Sequence, residues 1–214
     1  MDQLEKHVHY STSNTYVTLN QLTKDTKNVW LVFHGIGYLS RYFIPYFEHL
    51  PSKENYIIAP QAPSKYYLNN QYKHVGASWL TKENTAIEIQ NVLSYTDAVF
   101  AMETIPLHCN LIVFGFSQGV SIAARWVAKN QLKCHHLVLY AGGIPKELTK
   151  KDFDFLEHNN TKVTSLVGDK DEYITPEILR SESKKIKVLF NGRADQHVFK
   201  GTHELKKQLI SKLI

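Results

Sequence analysis

The stretch Leu111-Ile112-Val113-Phe114-Gly115-Phe116-Ser117-Gln118-Gly119-Val120 limits the fold more than any other part of the chain. An unbroken apolar run without alternation reads as a strand buried on both faces. It ends in Gly-x-Ser-x-Gly, and residues 121–128 then follow helical spacing. Strand, tight turn and helix is the setting in which this motif becomes a nucleophile elbow. Such a turn forces Ser117 into a strained backbone conformation and lifts its hydroxyl above the sheet edge. Gly115 and Gly119 lack Cβ atoms, so strand and helix can pass close beside it. The N–H groups that open the following helix suit a developing negative charge. Three fixed residues are a weak signal alone. The buried strand and the helix around them give the motif weight, and they require a base, an acid and an oxyanion hole from elsewhere in the chain.

Other apolar runs have the same character. Residues 29–33 form one, ended by His34-Gly35-Ile36-Gly37; residues 56–58 form another, stopped by Ala59-Pro60-Gln61-Ala62-Pro63. Residues 137–141, 163–167 and 195–199 supply three more strands, the first two ended by glycine. Between them, residues 42–50, 81–103, 176–187 and 203–214 carry helical patterns. Buried strands alternating with helices predict an α/β fold with a mostly parallel central sheet and helices on both faces. Residues 7–10 and 15–19, separated by Ser-Thr-Ser-Asn, predict an N-terminal antiparallel hairpin covering one sheet edge. Residues 64–79 read as a long loop whose tyrosines and Trp79 form a pocket wall. Functional groups of such sheets gather at the carboxyl ends of the strands. That rule brings residues 34–37, Ser117 and residues 168–171 to a common rim.

At 214 residues, without repeats or a low-complexity linker, the chain is expected to form one domain over residues 1–214. The formal charge is +5, but the lysines are scattered, which predicts a solvated basic surface and no nucleic-acid partner. Cys109 and Cys134 are far apart and outside any Cys-x-x-Cys, so buried free thiols in a reducing compartment are expected. The N-terminal residues lack the apolar core of a signal peptide, and no apolar run reaches transmembrane length. A cytoplasmic location follows as an expectation. The histidines lack metal-ligand spacing, so neither metal nor organic cofactor is expected.

A serine hydroxyl needs a base to take its proton, and the base needs a carboxylate to fix its tautomer. In a strand–elbow–helix context the acid and then the histidine follow the serine along the chain. Asp169, Asp171 and Glu172 follow the strand that ends at Gly168, and Asp171, deeper in the loop, is favoured over Asp169. His197 and His203 follow in turn. A histidine inside a strand points into a sheet face, whereas His203, after a strand end and at the start of the last helix, can swing over the rim. His203 is therefore favoured as the base.

These motifs resemble the phospholipase/carboxylesterase and acyl-protein thioesterase branch of the α/β-hydrolases. The matching residues are His34-Gly35-Ile36-Gly37, Ala59-Pro60-Gln61-Ala62-Pro63, Ser78-Trp79, Gly115-Phe116-Ser117-Gln118-Gly119, Gly168-Asp169-Lys170-Asp171 and Gly201-Thr202-His203. The resemblance implies a triad of Ser117, Asp171 and His203, and an oxyanion hole from the backbone N–H groups of Ile36 and Gln118. His34, Gly35, Gly37, Tyr38 and Trp79 are the expected lining of the substrate pocket. It implies a small-molecule or lipid-like ester or thioester substrate, cleaved through an acyl-enzyme. No insertion is long enough for a large lid, so an open site and short acyl groups are expected. Relatives usually carry Asp where this chain has Tyr38, and Phe-Asp where it has Leu80-Thr81; these changes fall around the acyl pocket and its entrance. Acyl transfer on the same residues, or a non-catalytic interaction role on the same scaffold, are the alternative readings.

Overall fold

The structure is a computed structural model that describes residues 3–214; Met1 and Asp2, where the signal-peptide reading and the expected 1–214 domain begin, lie outside the described residues. Seven strands form the central sheet in the order β1-β3-β2-β6-β7-β8-β9. They are β1 (Tyr16–Leu19), β2 (Asn28–Phe33), β3 (Asn55–Pro60), β6 (Asn110–Phe116), β7 (His136–Tyr140), β8 (Lys162–Gly168) and β9 (Asp195–Phe199). All neighbours run parallel except β1, which pairs antiparallel with β3. β4 (Ser64–Tyr67) and β5 (Val75–Ser78) make a separate antiparallel pair. The helices are α1 (Ser40–Phe43), α2 (Thr85–Met102), α3 (Gln118–Asn130), α4 (Asp154–His158), α5 (Pro176–Leu189) and α6 (Lys207–Ile210).

Two apolar layers explain why the central strands show no alternation. Val29, Leu31, Phe33, Val113 and Leu139 pack on one face against Val92 of α2 and Val120 and Trp126 of α3. Their neighbours Trp30, Val32, Ile112, Phe114 and Val138 pack on the other face against Phe43, Phe47, Ile210 and Leu213. Each strand thus meets apolar partners on both sides, which requires an apolar side chain at every position. At the amino ends, Asn28, Asn55 and Asn110 stand in register on three adjacent strands. Their amides form a cross-strand chain: Asn110 Nδ2 donates to Asn28 Oδ1 at 3.1 Å, and Asn28 Nδ2 to Asn55 Oδ1 at 3.2 Å. Trp30 Nε1 donates to the same Asn55 Oδ1 at 3.0 Å, so the buried indole N–H is satisfied.

Four expectations need correction. Residues 7–10 form no strand and are exposed; the antiparallel partner of β1 is β3, which already lies in the buried sheet and offers its free edge. Residues 64–79 are not an irregular loop but carry the β4–β5 pair, whose four-residue strands are too short to show a period. The helix expected from residue 81 starts at Thr85, because Asn84 sits at φ 47° and the Thr81 hydroxyl holds a turn by accepting from the Glu83 N–H. The last helix starts at Lys207, not at His203. Lys206 is extended and its N–H is spent on Tyr140 Oη at 3.2 Å, which leaves His203 in a loop. The cysteines are buried and free, as expected, and burial pushes the Cys134 thiol up to about 12. No helix among the described residues is long and apolar enough to cross a membrane.

His136 opens β7 inside the core, its ring between Thr164 Oγ1 at 2.8 Å and the Leu213 carbonyl at 3.1 Å. Burial holds its pKa down at about 4. In the unfolded chain the imidazole titrates near its ordinary value of 6.5 and binds this proton first, so the contribution is complete above that pH and is lost as pH falls toward 4. The full loss is about 3 kcal/mol. Urea unfolding at several pH values should show His136→Gln losing about one proton of the wild-type slope in that window; equal slopes would contradict the assignment.

Candidate active site

The site lies where the loops after β2, β6, β7, β8 and β9 meet. At its centre Ser117 has φ 53° and ψ −120°, a conformation rarely adopted by a residue with a Cβ. The surrounding backbone imposes it. Its N–H is bound by the Tyr140 carbonyl at 2.8 Å, and its own carbonyl accepts from Val120 at 3.0 Å as α3 begins. The close crossing needs both motif glycines. A Cβ on Gly115 would stand 2.6 Å from the Gly119 carbonyl oxygen, and one on Gly119 would stand 2.2 Å from that of Phe33.

His203 Nε2 lies 2.9 Å from Ser117 Oγ, and His203 Nδ1 lies 2.7 Å from Asp171 Oδ2. An ionised carboxylate can only accept, so Nδ1 donates to Asp171 and Nε2 is left to accept the serine proton. The Asp171 side chain is fully buried and that of His203 is 12 % exposed. The second Asp171 oxygen, Oδ1, accepts the Tyr173 N–H at 2.9 Å. The rings of Phe116 and Tyr173 flank the imidazole, with centroids 5.1 Å and 4.8 Å away.

The other two acids of this loop also act on the segment that carries the histidine. Asp169 Oδ1 accepts the Gly201 N–H at 2.9 Å, and Glu172 Oε2 accepts the His203 backbone N–H at 3.2 Å. Asp169, the rival of Asp171 in the sequence, is thus occupied in joining the β8 and β9 loops. His197, the rival of His203, stands inside β9 opposite Leu166 and is exposed.

Beside the serine runs the turn 34–37. A Cβ on Gly35 would stand 3.1 Å from Ser117 Cβ, so this backbone is in contact with the serine side chain. The Gly37 N–H is spent on the Ala77 carbonyl at 2.8 Å, while Ile36 is 54 % exposed at the surface of the turn. Gln118 is the first residue of α3, where an N–H has no acceptor within its own helix. Ile36 and Gln118 therefore flank the serine, each on a segment fixed by neighbouring hydrogen bonds.

Two residues expected in the pocket wall lie behind it instead. His34 and Trp79 are wholly buried and support the turn. His34 Nε2 accepts the Ala62 N–H at 3.1 Å, so its proton sits on Nδ1, which donates to the Gly35 carbonyl at 2.8 Å. Burial holds this ring neutral, with its pKa down at about 4. Trp79 Nε1 donates to the His34 carbonyl at 2.8 Å. The Gln118 side chain closes the frame: Oε1 accepts the Trp79 N–H at 2.8 Å and Nε2 donates to the Leu80 carbonyl at 2.7 Å. Gly37 and Tyr38 are partly exposed, and Tyr38 packs edge-on against Phe116 with centroids 6.1 Å apart. Burial raises the Tyr38 hydroxyl well above its ordinary pKa, so it stays protonated and neutral. Sequence reasoning missed Tyr173 and the Glu172 contact; their only signal was proximity to Asp171.

The fold is shared with solved structures. Acyl-protein thioesterase 2 of Zea mays superposes with a TM-score of 0.71 at 14 % identity, covering 94 % of this chain and 96 % of that one. A phospholipase/carboxylesterase from Dyadobacter fermentans gives 0.66 at 21 % identity, with 95 % and 97 % covered. The Bacillus cereus carboxylesterase gives 0.58 at 20 % identity, with 93 % and 91 % covered. No curated protein matches the chain by sequence. The sequence model of one family, described as Phospholipase/Carboxylesterase, matches residues 14–214. With that match across nearly the whole chain, and with an elbow serine in hydrogen-bonding reach of a histidine, the chain belongs to the phospholipase/carboxylesterase family of α/β-hydrolases.

Proposed function

We propose that the protein hydrolyses carboxylic esters or thioesters through an acyl-enzyme on Ser117, with His203 as base and Asp171 as its orienting acid. The observation that carries this reading is the succession Ser117 Oγ, His203 and Asp171, at 2.9 Å and 2.7 Å. His203 Nε2 takes the serine proton as Oγ bonds to the substrate carbonyl carbon, and the carbonyl oxygen becomes an anion. The N–H groups of Gln118 and Ile36 donate to that anion. Asp171, buried beside Nδ1, stabilises the imidazolium. The carbonyl reforms as the bond to the leaving alcohol or thiol breaks, and Nε2 hands that group its proton. Water then repeats the sequence on the acyl-enzyme, releasing the acid and restoring the serine hydroxyl. The substrate is a small-molecule or lipid-like ester. The chain as one domain, a cytoplasmic location and the absence of a cofactor requirement belong to the same proposal.

Hydrolysis of p-nitrophenyl acetate tests it. Ser117→Ala and His203→Ala should each lower kcat by roughly 10⁴-fold or more, whereas His197→Ala should keep turnover near wild type. Equal losses at the two histidines, or activity that survives Ser117→Ala, would overturn the reading.

The Gln118 side chain gives a second prediction. Gln118→Leu keeps the backbone N–H but removes the acceptor for Trp79 and the donor to Leu80. The turn it braces holds one of the two proposed anion donors, and loss of one such donor costs about 3 kcal/mol of transition-state stabilisation. Partial misplacement should lower kcat by about tenfold to a hundredfold with little change in KM. An unchanged kcat in a folded variant would show that the brace is not needed for turnover.

A further inference from the structure

Four carboxylates converge on the segment that carries His203. Three successive backbone N–H groups there donate to three different ones: Gly201 to Asp169 Oδ1 at 2.9 Å, Thr202 to Glu204 Oε1 at 3.3 Å and His203 to Glu172 Oε2 at 3.2 Å. The fourth, Asp171, holds the imidazole itself at 2.7 Å. Residues 201–206 belong to no helix or strand. Bonds to carboxylates therefore do here what a ladder does elsewhere: they satisfy the N–H groups and fix where the main chain lies.

The four carboxylates differ in what they can do for the imidazole. Asp171 is buried and binds Nδ1. Asp169 acts two residues before the histidine. Glu204 is paired with Lys206 at 3.4 Å, which offsets its charge. Glu172 is exposed, and it grips the main chain of His203 itself. Adjacent acids thus hold the two ends of one residue, Asp171 by its ring and Glu172 by its backbone. The Glu172 carboxyl is held below the usual carboxylate range, first by its own N–H and then by that of His203. It is therefore ionised wherever an imidazole gains or loses its proton.

The remaining groups around the ring bring no rival charge. The elbow contributes Phe116 and the Ser117 hydroxyl. Tyr173 lies edge-on to the imidazole at 4.8 Å, and Lys170 meets the segment through its backbone N–H on the Gly201 carbonyl. Tyr140 accepts the Lys206 N–H, and burial pushes its hydroxyl up to about 12, so it stays neutral.

We propose that Glu172 is a positioning residue for the base: it anchors the His203 main chain and adds a second negative charge that favours the imidazolium. The inference rests on His203 being the base. Its two parts are separable. The bond keeps Nε2 within reach of Ser117 Oγ. The charge acts as Nε2 takes the serine proton and, standing in water, is screened by salt in a way that buried Asp171 is not.

The test is kcat/KM for p-nitrophenyl acetate against pH, at low and high salt. Glu172→Gln keeps a carbonyl that can accept the His203 N–H but carries no charge. A nearby negative charge favours the protonated ring, so without it the ring sheds its proton at lower pH. The acid limb of the Glu172→Gln profile should therefore move down by about half a pH unit, with the plateau within about twofold of wild type. Glu172→Ala loses the bond as well; its limb should move equally and its plateau fall by about tenfold. Added salt should bring the wild-type limb toward that of Glu172→Gln. Glu177→Gln, which removes an exposed carboxylate paired with Arg180 on α5, should keep the wild-type profile. A wild-type limb in Glu172→Gln, or a wild-type plateau in Glu172→Ala, overturns the proposal. Should no ester be cleaved at all, the functional reading fails, and the link between Glu172 and His203 is judged by NMR titration of the His203 ring. A lower midpoint in Glu172→Gln than in the wild type would then support it, and equal midpoints would overturn it.

Discussion

The site hangs on one backbone conformation, that of Ser117 at φ 53°. Such a geometry costs on the order of 1–3 kcal/mol and persists only where the surroundings leave no alternative. Here β6 arrives with Gly115 against the backbone of Gly119, α3 leaves with Gly119 against the backbone of Phe33, and the Tyr140 carbonyl holds the serine N–H. The strain is offset by the burial of β6 and α3 in the apolar layers on either side of the sheet. In return the hydroxyl stands clear of its own strand and faces residues from the loop after β9.

The remaining parts are held by polar contacts between loops rather than by packing within elements. Three acids on the loop after β8 act on the segment 201–203: Asp169 on the Gly201 N–H, Glu172 on the His203 N–H and Asp171 on the imidazole. On the opposite side, His34 fixes its tautomer by accepting from Ala62, and Trp79 and Gln118 tie the turn 34–37 to the elbow. Both frames place the proposed reacting groups on short loops anchored at strand ends. That arrangement favours transition-state stabilisation by groups that need not move during the reaction.

Much of this was legible in the sequence because the central strands are buried on both faces. Val29 to Phe33 and Leu111 to Phe114 have no polar interruption, so they announce themselves without a period. The elbow was legible because its glycines are sterically required. The parts that were not legible depend on tertiary contacts. β1 has no local partner and pairs with a strand far along the chain. β4 and β5 are too short to carry a pattern. Residues 203–206 have helical spacing, yet Lys206 is extended, its N–H bound to Tyr140 Oη, and the helix begins only after it. His34 and Trp79 belong to motifs of the site, and no sequence signal tells a residue that faces substrate from one that braces the turn behind it.

The central claim is that Ser117 is a nucleophile made reactive by His203. Labelling with a fluorophosphonate, followed by mass spectrometry of the digested protein, addresses it without assuming any substrate. The account predicts a single adduct on Ser117 in the wild type and a labelling rate reduced by orders of magnitude in folded His203→Ala. Labelling of another residue, or equal rates in the two proteins, would contradict it.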